Sequence, residues 1–118
     1  MLPKTGVTFS CDNAALQKLF DEAERKCLHN LKDFGADTVL GEGGGDEKIW
    51  LETQPMGGEM YWKRNMTAAM NNQLLFMRTQ RADGRIAGSI QCHPDGTIEP
   101  QFNKFQGFCF PLHALNMW

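Results

Sequence analysis

No stretch of this chain is apolar over the roughly 20 residues that a membrane-spanning helix needs, and no long run of one charge sign occurs. The formal net charge is −2. A phosphate-tracking nucleic-acid binder needs a basic stripe, and a peripheral membrane protein often carries a polybasic patch. With both missing, neither nucleic acid nor membrane is an expected partner. Cys11, Cys27, Cys92 and Cys109 form no CxxC pair, which removes zinc-ribbon and thioredoxin-like readings. His29, His93 and His113 are isolated and no HExxH spacing occurs, so no metal site is expected. The opening Met1 to Gly6 lacks the apolar region of a signal peptide. The sequence carries no visible export address and leaves localisation open.

What is present points to a folded chain. At 118 residues it is one domain at most, or part of one, and 42% of the residues are hydrophobic, too many for a disordered segment. Four cysteines permit two disulfides. Free thiols are the better expectation, because Cys27 falls on an apolar helical stripe and a buried cysteine packs like a small hydrophobe.

The first periodic segment runs from about Asn13 to Phe34. Leu16, Leu19, Phe20, Ala23, Cys27, Leu28, Leu31 and Phe34 recur at three- and four-residue steps, which predicts one long amphipathic helix. Ser10 and Asp12 are candidate N-caps, and Gly35 is a natural stop. Residues 35–58 break the helical pattern. The run from Gly41 to Gly45 reads as a hinge or a close backbone approach to a ligand. It does not read as a phosphate loop: the GxxxxGK[ST] spacing is absent, and Glu42, Asp46 and Glu47 would repel phosphate.

A second helix is expected from about Asn65 or earlier to Gln80, capped by Asn65 or Thr67. Asn71, Asn72 and Gln73 interrupt its wide apolar arc. Buried amides need hydrogen-bond partners, so these residues are expected to brace neighbouring loops. Arg81 to Arg85 and His93 to Thr97 carry turn chemistry. Between and after them, Ile86–Cys92 and Thr97–Pro100 are expected to pair as a small hairpin. Four phenylalanines follow, from Phe102 to Phe110, and Pro111 suits the first turn of a further helix. The fold class expected is therefore mainly α: a helical hairpin with a long glycine-rich loop and a small β-hairpin.

The chemistry concentrates between Asp46 and Arg64. This segment holds four carboxylates, two tryptophans and a tyrosine. A sugar ring stacks an apolar face on an aromatic ring, offers hydroxyls to charged and amide groups, and needs carboxylates for acid–base cleavage of its glycosidic bond. The bland alternative is an ordinary polar loop with core aromatics.

The motifs Glu52-Thr-Gln-Pro-Met-Gly-Gly-Glu-Met-Tyr61, Asn71-Asn-Gln-Leu-Leu-Phe76 and Gln80-Arg-Ala-Asp-Gly-Arg-Ile-Ala-Gly88 resemble the catalytic domain of bacterial six-hairpin glycosidases. These are (α/α)6-toroid glycoside hydrolases broadly related to the α-L-rhamnosidase-like enzymes. The segment from Gln106 to Trp118 resembles the start of a third toroid helix. The resemblance implies that residues 1–118 are a single partial domain, the N-terminal portion of such a catalytic domain, incomplete on its own and without a cofactor. It implies a carbohydrate substrate, and self-association or the remaining toroid segments as partners. It implies Glu59 as general acid, its pKa raised by the wall of Met56, Met60 and Trp62, with Glu52 as alternate catalytic carboxylate. Asp46, Gln54 and Arg64 are then candidate hydroxyl ligands, and Trp50 and Trp62 stacking platforms. The competing assignments are a first-turn carboxylate favoured by the helix dipole for Glu59, core packing for the tryptophans, and surface or ion-pair roles, the better expectation, for Lys63 and Arg64. The alternative functions are a non-catalytic carbohydrate-binding module and a helical assembly module.

Overall fold

The computed structural model describes residues 6–53 and 59–102, with the backbone alone for residues 59 and 60. The element order is α1 (Ala14–His29), β1 (Leu31–Phe34), β2 (Asp37–Leu40), β3 (Lys48–Trp50), α2 (Glu59–Trp62), α3 (Met66–Arg78), β4 (Ser89–Cys92) and β5 (Ile98–Gln101). Gln54, Met56, and the helix and phenylalanine cluster expected beyond residue 102 lie outside the described residues.

The architecture is mixed α/β, which corrects the mainly α expectation. Two helices of several turns and one single-turn helix accompany five strands in two small antiparallel sheets. The error lies between residues 30 and 50. The periodic segment stops at His29, where the Asn30 backbone N–H closes onto Cys27 and Leu28 as C-cap. Leu31–Phe34 then leaves the helix and pairs with Asp37–Leu40, in the register Leu31↔Leu40 to Phe34↔Asp37. Gly35, at φ 65°, opens the two-residue connection between them; glycine supplies that left-handed geometry without steric cost. Leu31 and Phe34 stand three apart, a spacing that fits the helical stripe but here belongs to a strand. The long connection expected at residues 35–58 likewise contains two strands, β2 and β3.

Other expectations hold more closely. Asn65 caps α3, its side chain accepting from the Ala68 N–H at 3.0 Å. Asn13, one residue past the anticipated Asp12, caps α1 by accepting from Ala15 and Leu16 N–H. The hairpin after residue 86 forms, with β4 and β5 paired from Ser89↔Gln101 to Cys92↔Ile98. Pro100 sits on β5, an outer strand of its sheet, where a missing N–H is tolerated. β3 adds to the other side of β4, placing Ile49 opposite Ile90. Cys11, Cys27 and Cys92 are free thiols; Cys109 lies outside the described residues. No helix among the described residues is long and apolar enough to cross a membrane.

The core unites the two sheets through α3. Phe34 and Val39 from the first hairpin meet Leu75 and Phe76 of α3, together with Ile49, Leu51, Ala87 and Ile90. No residue of α1 is buried. Leu16 and Leu19 on that helix are 47% and 65% exposed, so the stripe that reads as a core face has few apolar partners here.

α3 is fixed to the first hairpin by an amide clamp. In an antiparallel pair every second residue points its N–H and C=O away from its partner strand. On β2 these groups meet α3: Leu40 N–H donates to Asn72 Oδ1 at 2.7 Å, and Asn72 Nδ2 donates to Leu40 C=O at 2.8 Å. Asn71 Nδ2 donates to the Thr38 C=O at 2.9 Å. The outer edge of β2 is thus satisfied by side chains instead of another strand, which also blunts edge-to-edge pairing. The expectation that these amides brace neighbouring segments is met for both asparagines.

Asn72 is fully buried, and replacing it by alanine leaves the Leu40 N–H and C=O without partners. Asn72→Ala is expected to lower unfolding free energy by about 2–4 kcal/mol, read as a reduced urea midpoint. Asn71→Ala, which removes one exposed bond, is expected to cost less than about 1.5 kcal/mol. Equal, small shifts for the two variants would show that the clamp does not hold the sheet to the helix.

Candidate functional site

A cleft of about 450 Å³ opens between α1, the glycine-rich segment after β2, and α2 with the residues that follow it. Glu24 and Cys27 of α1 and the C-cap residue Asn30 form one side. Leu40, Gly41 and Glu42 form a second, and Thr53, Tyr61 and Arg64 close it.

Each side has a local cause. Glu24 interrupts the stripe of Phe20, Cys27 and Leu28 on the half-buried side of α1. A carboxylate there needs a cation, and Arg64 supplies it: Nε donates to Glu24 Oε1 at 2.6 Å, with the two side chains 23% and 13% exposed. Charge-assisted bonds of this length are the strong class of protein hydrogen bond. Tyr61, on α2, is 4% exposed. Its hydroxyl donates to the Cys27 carbonyl at 3.0 Å, which ties α2 to the last turn of α1.

The glycine-rich segment brings the backbone against Asn30. Gly41 N–H donates to the Asn30 carbonyl at 2.8 Å. At Gly43, φ is 86° and a Cβ would lie 2.7 Å from the Asn30 side-chain nitrogen. Only glycine fits both the conformation and the space. This run is expected to be a hinge or a close approach to a ligand; what its backbone approaches in the structure is the side chain of Asn30.

The candidate site residues separate. Asp46 and Trp50 come together: Asp46 Oδ1 accepts from the Lys48 backbone N–H at 2.8 Å and Oδ2 accepts from Trp50 Nε1–H at 2.9 Å. The Lys48 N–H, then the Trp50 indole and the Lys48 charge, hold the Asp46 carboxyl below its ordinary value, against a rise from burial. The Lys48 ammonium sits 5.7 Å from the Trp50 ring centroid, a cation–π contact. Trp50 and Trp62 are half-buried and Glu52 is exposed. Arg64 lines the cleft, whereas Asp46, Trp50, Glu52 and Trp62 are not among its lining residues. Glu59 opens α2 two residues before Tyr61; its side chain and Gln54 lie outside the described residues.

Sequence reasoning passed over Glu24, Asn30 and Thr53 as site residues. Glu24 left a signal, a carboxylate on an apolar stripe four residues after Phe20. Asn30 and Thr53 left none, since they reach the cleft through the hairpin and the turn after β3. No group of three or more His, Cys, Asp or Glu side chains that could hold a metal ion occurs among the described residues.

Comparison of the chain with protein-family models, curated proteins and solved structures gives no match.

The tyrosine supplies a direct probe, because Tyr61 is the chain's single tyrosine. Burial, then the Cys27 thiol and the Glu24 carboxylate, push its pKa up to about 12, against a lowering by Arg64. A raised folded value means the neutral phenol stabilises the fold. That contribution is complete below the unfolded value of about 10 and is lost as pH rises through about 12. Tyrosinate absorbance is expected to appear near pH 12 in the folded chain and near 10 in denaturant. A folded midpoint near 10 would place Tyr61 in water and dissolve the wall it forms.

Proposed function

We propose that this chain binds carbohydrate in the cleft between α1 and α2 and is a segment of a glycoside hydrolase. The cleft carries the binding part of this reading. Its volume falls within the range of small-ligand sites, about 300–1,000 Å³. Its wall offers carboxylates, an amide, a hydroxyl and a guanidinium (Glu24, Glu42, Asn30, Thr53, Arg64) beside the apolar Ala23 and Leu40. That is the mixture a sugar ring uses, with alternating hydroxyls on polar groups and ring carbons on apolar ones. The hydrolytic part is supported by the motif resemblance.

In this reading Glu59 protonates the leaving oxygen, and a second carboxylate acts as base or nucleophile across the bond. Glu52 is the candidate for it from this chain. Arg64, held by Glu24, orients ring hydroxyls, while Asp46 and Trp50 shape the neighbouring surface. The test is isothermal titration with a panel of neutral oligosaccharides. Arg64→Met is expected to weaken binding by about tenfold, the loss of one charge-assisted hydrogen bond of roughly 1.5 kcal/mol. In whatever form of the protein hydrolyses glycans, Glu59→Gln is expected to reduce turnover by at least a hundredfold with binding retained. Unchanged binding in the Arg64 variant counts against the cleft. Unchanged turnover in the Glu59 variant removes that residue from acid catalysis.

A second reading, assembly, is favoured by one observation: α1 leaves Leu16 and Leu19 exposed on its outer surface. In it, two copies of the chain bury these residues against each other. Sedimentation of the wild-type chain should then give a dimer, and Leu19→Glu should give a monomer. A monomer at high concentration in the wild type would rule this reading out.

A further inference from the structure

The charges around the cleft do not cancel, and this deepens the carbohydrate reading, on which it rests. Glu24, Arg64 and Glu42 are the charged residues of its lining. Glu24 and Arg64 form a partly buried pair at 2.6 Å and neutralise each other. Glu42 is exposed on the glycine-rich side. Its backbone N–H is anchored to the Lys48 carbonyl at 3.3 Å, so the residue is positioned while its carboxylate faces solvent. A neighbouring cation is Lys32, whose stem passes Gly41: a Cβ on that glycine would lie 2.9 Å from Lys32 Cγ. The Lys32 ammonium, however, is taken by both oxygens of Glu47, at 3.0 and 3.1 Å. No ion pair to Glu42 is formed among the described residues. One negative charge is left over at a polar cleft.

The geometry points to an amino sugar as the ligand of this cleft, its protonated amine on the Glu42 carboxylate and its hydroxyls on the uncharged Asn30 and Thr53. An ammonium gives Glu42 a charge-assisted hydrogen bond that a hydroxyl cannot match. A uronic acid brings a second carboxylate toward the first, and the Arg64 charge that could offset it is already balanced by Glu24. The order of preference is therefore cationic, neutral, anionic.

The experiment is a titration of the complete chain with glucosamine, glucose and glucuronate, followed by amide chemical shifts in NMR. It is run at low salt near about pH 6, where a carboxylate is ionised and the sugar amine protonated. Glucosamine is expected to bind about two- to fivefold tighter than glucose, the range of an exposed ion pair, and glucuronate weakest. In Glu42→Gln the glucosamine-to-glucose ratio should fall to about one, whatever the absolute affinities, and added salt should shrink it in the wild type. Equal binding of the three sugars, tightest binding of glucuronate, or a ratio unmoved by Glu42→Gln overturns the amino-sugar assignment. Each of those leaves a sugar-binding cleft standing. Absence of binding by all three overturns the carbohydrate reading, and this assignment with it.

Discussion

One buried amide holds the two halves of this fold together. Asn72 presents an acceptor and a donor to the N–H and C=O of a single residue, Leu40. It thereby does for β2 what a neighbouring strand would do. A third strand would have extended the hairpin into a wider sheet and displaced α3. A helix face of purely apolar residues would have left the outward groups of β2 buried and unpaired, at roughly 1–3 kcal/mol each. The asparagine admits a helix at that edge and specifies its register, since an amide displaced by one turn along α3 would miss Leu40. Around this point Val39, Leu75 and Phe76 close the core.

The position of α1 follows from a different balance. With no buried residue of its own, it gains little from apolar burial. Polar ties near its C-terminal half hold it: the Glu24–Arg64 pair and the Tyr61 hydroxyl on the Cys27 carbonyl. Polar ties keep the helix at a distance that close apolar packing would not, and the cleft is the space that remains. Four of the residues that line the cleft, Glu24, Cys27, Tyr61 and Arg64, are thus the ones that dock the helix.

Local chemistry made several elements readable. Asn65 announces α3 because a side-chain acceptor at that position satisfies the first-turn N–H groups. The Pro–Asp–Gly turn at 94–96 announces the β4–β5 hairpin, since Gly96 takes φ 85° there. The stretch from Asn30 to Trp50 was misjudged because its information is non-local. Leu31 and Phe34 continue a helical period, and nothing within that segment says that Val39 will be buried beside Phe34 or that an amide more than thirty residues on will accept from Leu40. Periodicity cannot separate a short buried strand from a further helical turn. For the site, Arg64 was legible as an ion-pair residue, and it pairs with Glu24. Its partner Glu24 is forty residues earlier, beyond the reach of any local pattern.

The tryptophans bear on where a sugar ring would rest. A stacking platform needs an open aromatic face, and the Trp50 ring has a Lys48 ammonium 5.7 Å from its centroid, while its N–H is bound to Asp46. The ring is therefore fixed in orientation and electrostatically engaged, and a ligand stacking on that same face must displace a cation. The cleft poses a different requirement. Its polar groups sit beside the apolar side chains of Ala23 and Leu40, which the ring carbons of a bound sugar would meet. On the proposed reading, recognition there would depend on hydrogen-bond direction more than on stacking area. Such a site discriminates best by leaving an unmatched polar group unpaired, which penalises a wrong hydroxyl pattern more severely than loss of an apolar contact does. If the cleft binds sugar as proposed, its specificity would be set by Asn30, Glu42 and Arg64, the side chains whose amide, carboxylate and guanidinium geometry admits the fewest alternatives.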